Sequence, residues 1–235
     1  MLPEIGEEGQ LKIKQGKVLV IGAGGLGSPA SLYLAAAGVG TIGLIDGDAV
    51  DRTNLQRQVI HSTDRIGMAK VDSAANTLSR LNPNVKIVKY HEYLSVEKAV
   101  EIISDYDFVI DATDRSNAKY MINDACVISG KAYSHGGVKL YEGHTFTYVP
   151  GSACLRCLFD MTTPVDQIPA SSPYGLLGVV PGILGTIQAA EALKYLTGVG
   201  QLLTNKLLRF DTKTMAFSTM RFGKRDTCLC HDIRF

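Results

Sequence analysis

Residues 17–48 constrain this chain more than any other stretch. They read KVLVIGAGGLGSPASLYLAAAGVGTIGLIDGD. An apolar run at 18–21 passes directly into Gly22-Ala23-Gly24-Gly25-Leu26-Gly27, and a small-residue helical pattern follows to Ala37. Gly38 ends that pattern, and a second apolar run at 41–45 leads to Asp46. The order is strand, glycine turn, helix, strand, acid, which is the opening of a nucleotide-binding α/β fold. Gly22 permits the tight turn, Gly24 lets the backbone approach a phosphate, and Gly27 lets helix and strand pack closely. The helix start offers free N–H groups and a positive dipole end to an anion. Asp46 stands where a carboxylate accepts from ribose hydroxyls. These features point to an adenine nucleotide without choosing among NAD, FAD and ATP.

The chain continues in the same alternation. A short helix precedes the first strand. Residues 47–58 (GDAVDRTNLQRQ) are too polar for a strand. The spacing predicts a helix over 70–80, a turn at Asn82-Pro83-Asn84, a strand over 85–90, a helix over 96–104, a strand over 108–110, a helix over 116–129 and a strand over 132–137. Beyond Gly137 the pattern changes. Residues 138–149 read as a hairpin or paired strands around Gly143, and 160–180 as an extended connection. A helix is expected over 181–197, stopped by Gly198, with strands over 206–211 and 215–222. The expected architecture is therefore α/β: a Rossmann-like, doubly wound, mostly parallel sheet continuing into antiparallel strands, with a C-terminal helix and a tail, CLCHDIRF. We expect one domain over 1–235, with a nucleotide-binding half (1–137) and an antiparallel half (138–235).

Several function classes are disfavoured by totals. A net charge of +1 over 235 residues argues against a general nucleic-acid or polybasic membrane surface. No window approaches a membrane span. The start, MLPEIGEEGQ, lacks a secretion signal, so the expected compartment is the cytoplasm. In that reducing setting Cys126, Cys154, Cys157, Cys228 and Cys230 read as ligands, nucleophiles or buried thiols before disulfides.

In an open parallel sheet, ligands sit outside the carboxyl ends of the strands. That rule brings 22–27, 46–57 and 111–114 to one crevice. Arg57 can bind phosphate oxygens with two parallel bonds, Lys70 adds a point charge, and Asp114 can hold magnesium between phosphates. Hydride transfer has no need of such cations. Attack at phosphorus does, because positioning and charge neutralisation carry it. No nucleophile stands among these residues, so the attacking group should come from the substrate.

GAGGLG, DGD, TNLQRQ, GMAK, DATD and CLRC occur in that order. Together they resemble the ubiquitin-activating-type superfamily, the MoeB/ThiF/HesA group, over nearly the whole chain. The resemblance implies a homodimer that uses ATP and magnesium to adenylate the C-terminal glycine of a small ubiquitin-like protein and releases pyrophosphate. It implies that Asp46 binds ribose, that Asn54, Arg57 and Lys70 hold the phosphates, and that Asp114 carries magnesium. The expected nucleotide set is Gly22, Gly24, Gly25 and Gly27 of the turn; Asp46 and Asp48; Asn54, Arg57 and Gln58; Lys70; and Thr113 and Asp114. Arg57, Lys70 and Asp114 are the expected catalytic residues.

The family's zinc site implies Cys154 and Cys157 as one ligand pair and Cys228 with Cys230 as the other, with His231 as the alternative to Cys230. Such a site would staple the tail and play no catalytic part.

Departures from the family pattern are equally specific. Members carry an arginine-bearing stretch before LPEIGEEGQ, one arginine of which reaches the partner's ATP site; here the first arginine is Arg52. Where members have Asn after the magnesium Asp, this chain has Arg115. Where they have Arg five residues after it, this chain has Lys119. No cysteine stands at 171–175, so adenylation without a stable enzyme thioester is expected, and Cys126 reads as a buried structural thiol. His91, His135 and His144 have no partner visible in sequence, and His61 reads as a packed or surface residue. The leading expectation is adenylation of a ThiS- or MoaD-like sulfur carrier ending in Gly-Gly, for thiamine or molybdopterin sulfur transfer. The alternatives are an NAD-dependent oxidoreductase, a low-activity carrier-binding homologue, and, within the family, a tRNA-modifying member.

Overall fold

The structure is a computed structural model and describes residues 2–159, 175–226 and 228. Strands β1 (Lys17–Ile21), β2 (Thr41–Ile45), β3 (Lys86–Tyr90), β4 (Phe108–Asp111), β5 (Ala132–Lys139), β6 (Glu142–Tyr148), β7 (Lys206–Asp211) and β8 (Ala216–Arg221) form one sheet in the order β3-β2-β1-β4-β5-β6-β7-β8. The first five are parallel, and β6, β7 and β8 join antiparallel. The order reverses between β1 and β4, so a crevice opens at their carboxyl ends. The glycine turn follows β1, and Ala112-Thr113-Asp114 follows β4.

Alternate residues of the strands serve opposite faces. Val18, Val20, Ile42, Leu44, Phe108 and Ile110 pack on one side against α1 (Gly6–Gln15), α2 (Gly27–Ala37), α3 (Lys70–Leu81) and α7 (Val179–Thr197). Leu19, Ile21, Ile45, Val109 and Tyr133 pack on the other against α4 (Val96–Ser104), α5 (Ser116–Ser129) and α6 (Leu155–Phe159). Burial on both faces is why β1 is a continuous apolar run and does not alternate.

Two glycines of the turn are required by close approach. Gly22 has φ +102°, and a Cβ on Gly27 would lie 1.9 Å from the Gly22 carbonyl oxygen. Gly143 has a different role from the one its sequence context suggests. The β5–β6 turn is Leu140-Tyr141, since Lys139 pairs with Glu142. Gly143 lies inside β6, where a Cβ would sit 2.4 Å from the Phe210 ring. The glycine marks a packing contact, and Leu140 takes the left-handed turn conformation (φ 56°).

Helix α7 starts two residues earlier than its proline suggests, at Val179, and ends at Gly198 in the left-handed region (φ 74°). Of the expected connection over 160–180, residues 160–174 lie outside the described residues; Leu176 bridges to Leu140. No helix of the described residues is long and apolar enough to cross a membrane.

Candidate active site

A cavity of about 690 Å³ occupies the crevice. Gly22, Gly24, Gly25, Asp46, Asp48, Asn54, Arg57, Gln58, Lys70, Thr113 and Asp114 all line it. Gly27 does not; it lies under the turn, against the Gly22 carbonyl. Its lining is mixed: Leu94, Val96, Ala118 and Met121 give it apolar surface, Arg57 and Lys70 give it positive charge, and Glu92, Glu97 and Asn117 line it from the same segments as the apolar group.

Each polar side chain is held by its neighbours. Asp46 accepts from the Ala23 backbone N–H at 2.8 Å and from the Asp48 N–H at 2.9 Å, so it braces the glycine turn as well as facing the cavity. Burial pushes its carboxyl up, against the pull of Lys70. Lys70 is the first residue of α3 and is buried. Its ammonium lies 2.8 Å from Asp48 Oδ2. Burial opposes ionisation of Asp48, but hydrogen bonds from Lys70 and Tyr93 outweigh it and hold the carboxyl below the usual range.

A 3₁₀ turn, Arg52–Asn54, carries the next group. Asn54 Oδ1 accepts from Arg57 Nη2 at 3.0 Å and Gln58 Nε2 at 2.9 Å, so Asn54 aims both side chains. Gln58 is buried, and its Oε1 has no hydrogen-bond partner among the described residues. A buried acceptor on a cavity wall without a donor is costly unless a ligand or water supplies one. Asp114 is exposed on the opposite wall. It has no hydrogen-bond partner among the described residues, and the N-cap position of α5 is Arg115. Its carboxylate is available to a ligand or a cation.

Behind this wall lies a network that the sequence did not announce. Asp111, fully buried at the end of β4, meets His135 Nδ1 at 3.0 Å and Lys119 Nζ at 3.3 Å. Lys119 also donates to the Gly136 carbonyl. Burial works against the Asp111 charge, yet Lys119 and His135 hold its carboxyl down to about 2. Because an ionised Asp111 only accepts, His135 Nδ1 is the donor. A neutral His135 then accepts at Nε2 from His144 Nε2, 3.4 Å away. Burial lowers His135, outweighing Asp111, and burial with His135 and Lys119 nearby pushes His144 down to about 3. Thus two of the three histidines without a visible partner, His135 and His144, do have one, supplied by a neighbouring strand. Gln188 of α7 closes the set, donating to the carbonyls of Asp111 and Ser134. His61 is also internal: it bonds Ser73 and the Ala23 carbonyl.

A second centre lies on the far face. The sulfurs of Cys154 and Cys157 are 3.8 Å apart and those of Cys154 and Cys228 are 3.6 Å apart, all buried. Four thiolates at ~2.3 Å around one tetrahedral ion would have sulfurs about 3.8 Å apart. The three thiols therefore fit one metal ion. The expected fourth ligand, Cys230 or His231, lies outside the described residues. Asn123 and Asp124 of α5 hold the cysteine-bearing segment: Asn123 Oδ1 accepts from the Leu155 N–H, and Asp124 forms a two-bond pair with Arg156. Cys126, fully buried near Asp111, is kept as a thiol by burial.

The model of the ThiF family matches residues 1–231. An adenylyltransferase and sulfurtransferase MOCS3-1 of Zea mays is 47% identical over 212 residues, which is 90% of this chain and 45% of the relative. The adenylyltransferase and sulfurtransferase MOCS3 of Culex quinquefasciatus is 42% identical over 235 residues, 99% of this chain and 54% of the relative. The chain spans about half the length of these curated relatives. Among solved structures, E. coli MccB with ATP superposes with a TM-score of 0.82 at 24% identity, over 94% of this chain and 67% of that one, a likeness of fold.

Proposed function

The chain belongs to the ThiF family, and on that footing we propose that it is an adenylyltransferase that activates the C-terminal carboxylate of a small ubiquitin-like sulfur carrier with ATP. The observation that carries this reading is the lining of one cavity: the glycine turn, Asp46, the cations Arg57 and Lys70, and apolar side chains suited to a base all face it. A dinucleotide oxidoreductase has no use for that cation pair beside the turn.

Arg57 and Lys70 take the phosphate oxygens, and Lys70 exchanges Asp48 for phosphate as it does so. A carboxylate oxygen of the carrier's terminal glycine attacks the α-phosphorus. The bond from the α-phosphorus to its bridging oxygen breaks, and pyrophosphate leaves with the electron pair. No proton moves, so the site needs no general base. Asp114 faces the cavity without a partner among the described residues, as a magnesium ligand would; the ion would offset phosphate charge. Zinc at Cys154, Cys157 and Cys228, with Cys230 or His231 as fourth ligand, would fasten the chain end to α6.

Carriers of the ThiS or MoaD type, ending in Gly-Gly and serving thiamine or molybdopterin synthesis, are the proposed partners, and the cytoplasm is the proposed compartment. None of the four described cysteines is in a disulfide, in keeping with that compartment. We also propose a homodimer. An apolar groove of Val59, Leu177, Val179, Ile183 and Phe217 beside Arg57 supports it.

The test is ATP–pyrophosphate exchange with carriers ending in Gly-Gly. Wild type should exchange label only with an intact carrier terminus. Asp114→Ala should lose exchange and keep its fold by circular dichroism. ATP binding without exchange on any carrier would overturn the enzymatic reading.

A further inference from the structure

Arg115 faces the cavity from the start of α5, immediately after Asp114. Its guanidinium carbon lies 4.8 Å from the centre of the Tyr93 ring. The Tyr93 hydroxyl donates to Asp48, and Asp48 accepts the Lys70 ammonium at 2.8 Å. The ring also fills the space that a side chain at Gly47 would need, since a Cβ there would lie 2.9 Å from it. A chain of four side chains, Lys70, Asp48, Tyr93 and Arg115, thus ties the loops after β2, β3 and β4 together across the mouth of the cavity.

The charges along this chain do not cancel. Lys70 has Asp48. Arg115 feels the Asp48 charge at a distance, yet among the described residues no carboxylate lies within ion-pair range of it. Glu92, beside Tyr93 in sequence, is taken by Lys98 at 2.5 Å. A guanidinium stacked on an aromatic face is held in orientation while donors along its edge stay available to a planar or phosphate anion. Stacking also lowers the entropy lost when the arginine engages a ligand.

We propose that Arg115 is a nucleotide-contacting residue that binds a phosphate oxygen of ATP, with Tyr93 as its positioning residue. This rests on the reading of the cavity as an ATP site. Asp48 lies between the two cations and is released by Lys70 when phosphate arrives. It therefore couples phosphate binding at Lys70 to the orientation of the Tyr93–Arg115 stack. The asparagine expected at this position from the family resemblance could not do this, because it carries no charge and does not stack in this way.

The test is equilibrium binding of ATP and of adenosine to the full chain, without carrier. Arg115→Ala should weaken ATP by about 10- to 100-fold and leave adenosine within experimental error. Arg115→Lys should recover part of the loss. Tyr93→Ala should weaken ATP as Arg115→Ala does, and Tyr93→Phe, which keeps the ring and loses the hydroxyl's bonds to Asp48 and Arg115, should lose less. In exchange assays the KM for ATP should rise while the KM for the carrier stays put. If wild type binds ATP and Arg115→Ala binds it equally well, the role of Arg115 is wrong. Equal losses for adenosine and ATP would overturn the phosphate assignment. Absence of ATP binding by wild type would instead sink the nucleotide reading itself.

Discussion

The His61 imidazole and the Ala23 carbonyl oxygen meet at 2.9 Å. His61 is not on the cavity wall, yet it holds the middle of the glycine turn from behind. A carbonyl only accepts, so Nε2 carries the proton and Nδ1 accepts from the Ser73 hydroxyl. Burial lowers the His61 pKa, which keeps this neutral form.

His61→Ala should leave the Ala23 carbonyl without its donor, at a cost of about 1–3 kcal/mol. We expect a lower melting temperature and a several-fold weaker ATP affinity measured by titration. Unchanged affinity in a less stable variant would show that the turn does not depend on this contact.

Gly27→Ala should be worse than an ordinary helix substitution. Its Cβ would meet the Gly22 carbonyl oxygen at 1.9 Å, and backbone cannot step aside as a side chain can. Overpacking of this kind costs about 1–3 kcal/mol, read as a fall in the urea midpoint. A midpoint equal to that of wild type would mean that α2 shifts freely on β1.

Acid should destabilise the protein from about pH 6.5 downward. The pKa values of His135 and His144 are lowered in the folded state, His144 to about 3. Below their ordinary value near 6.5 the unfolded chain binds more protons than the folded one, so stability falls as pH falls across that window. His144→Gln keeps a donor for His135 and removes one titrating group. Its stability-versus-pH curve, from urea melts, should be shallower between pH 6.5 and the lower limit of folding. A curve parallel to that of wild type would contradict the proposed origin of the slope.

Cys154→Ser should reduce bound zinc, measured by elemental analysis of the purified protein, and lower the melting temperature. Strong chelators should shift wild type toward the same melting temperature and leave the variant little changed. A variant with full zinc occupancy would remove Cys154 from the ligand set.

Much of the fold was legible because its signals are local. Four apolar residues ahead of a glycine turn make β1, and Gly38 and Gly198 stop α2 and α7 in the left-handed region, as their sequence positions suggest. The segments around Gly22, Asp46, Arg57 and Asp114 were placed at one crevice by the topology of doubly wound sheets, and they line one cavity. The turn of the β5–β6 hairpin was misplaced at Gly143, since a glycine needed for packing against Phe210 looks the same in sequence as one needed for a turn.

What the sequence determined by itself was the order of strands, helices and turn, because propensity, apolar period and glycine conformational freedom act over a few residues. It also carried the six ordered blocks that mark the family. Only the tertiary structure decided which charges meet. Asp111 is far from His135 and Lys70 far from Asp48 along the chain, and Tyr93 meets Arg115 because β3 and β4 run parallel and release their following loops on the same side of the sheet. Electrostatic and hydrogen-bond partnerships depend on distances of a few ångströms, and those distances come from sheet order and helix packing, which no local pattern encodes.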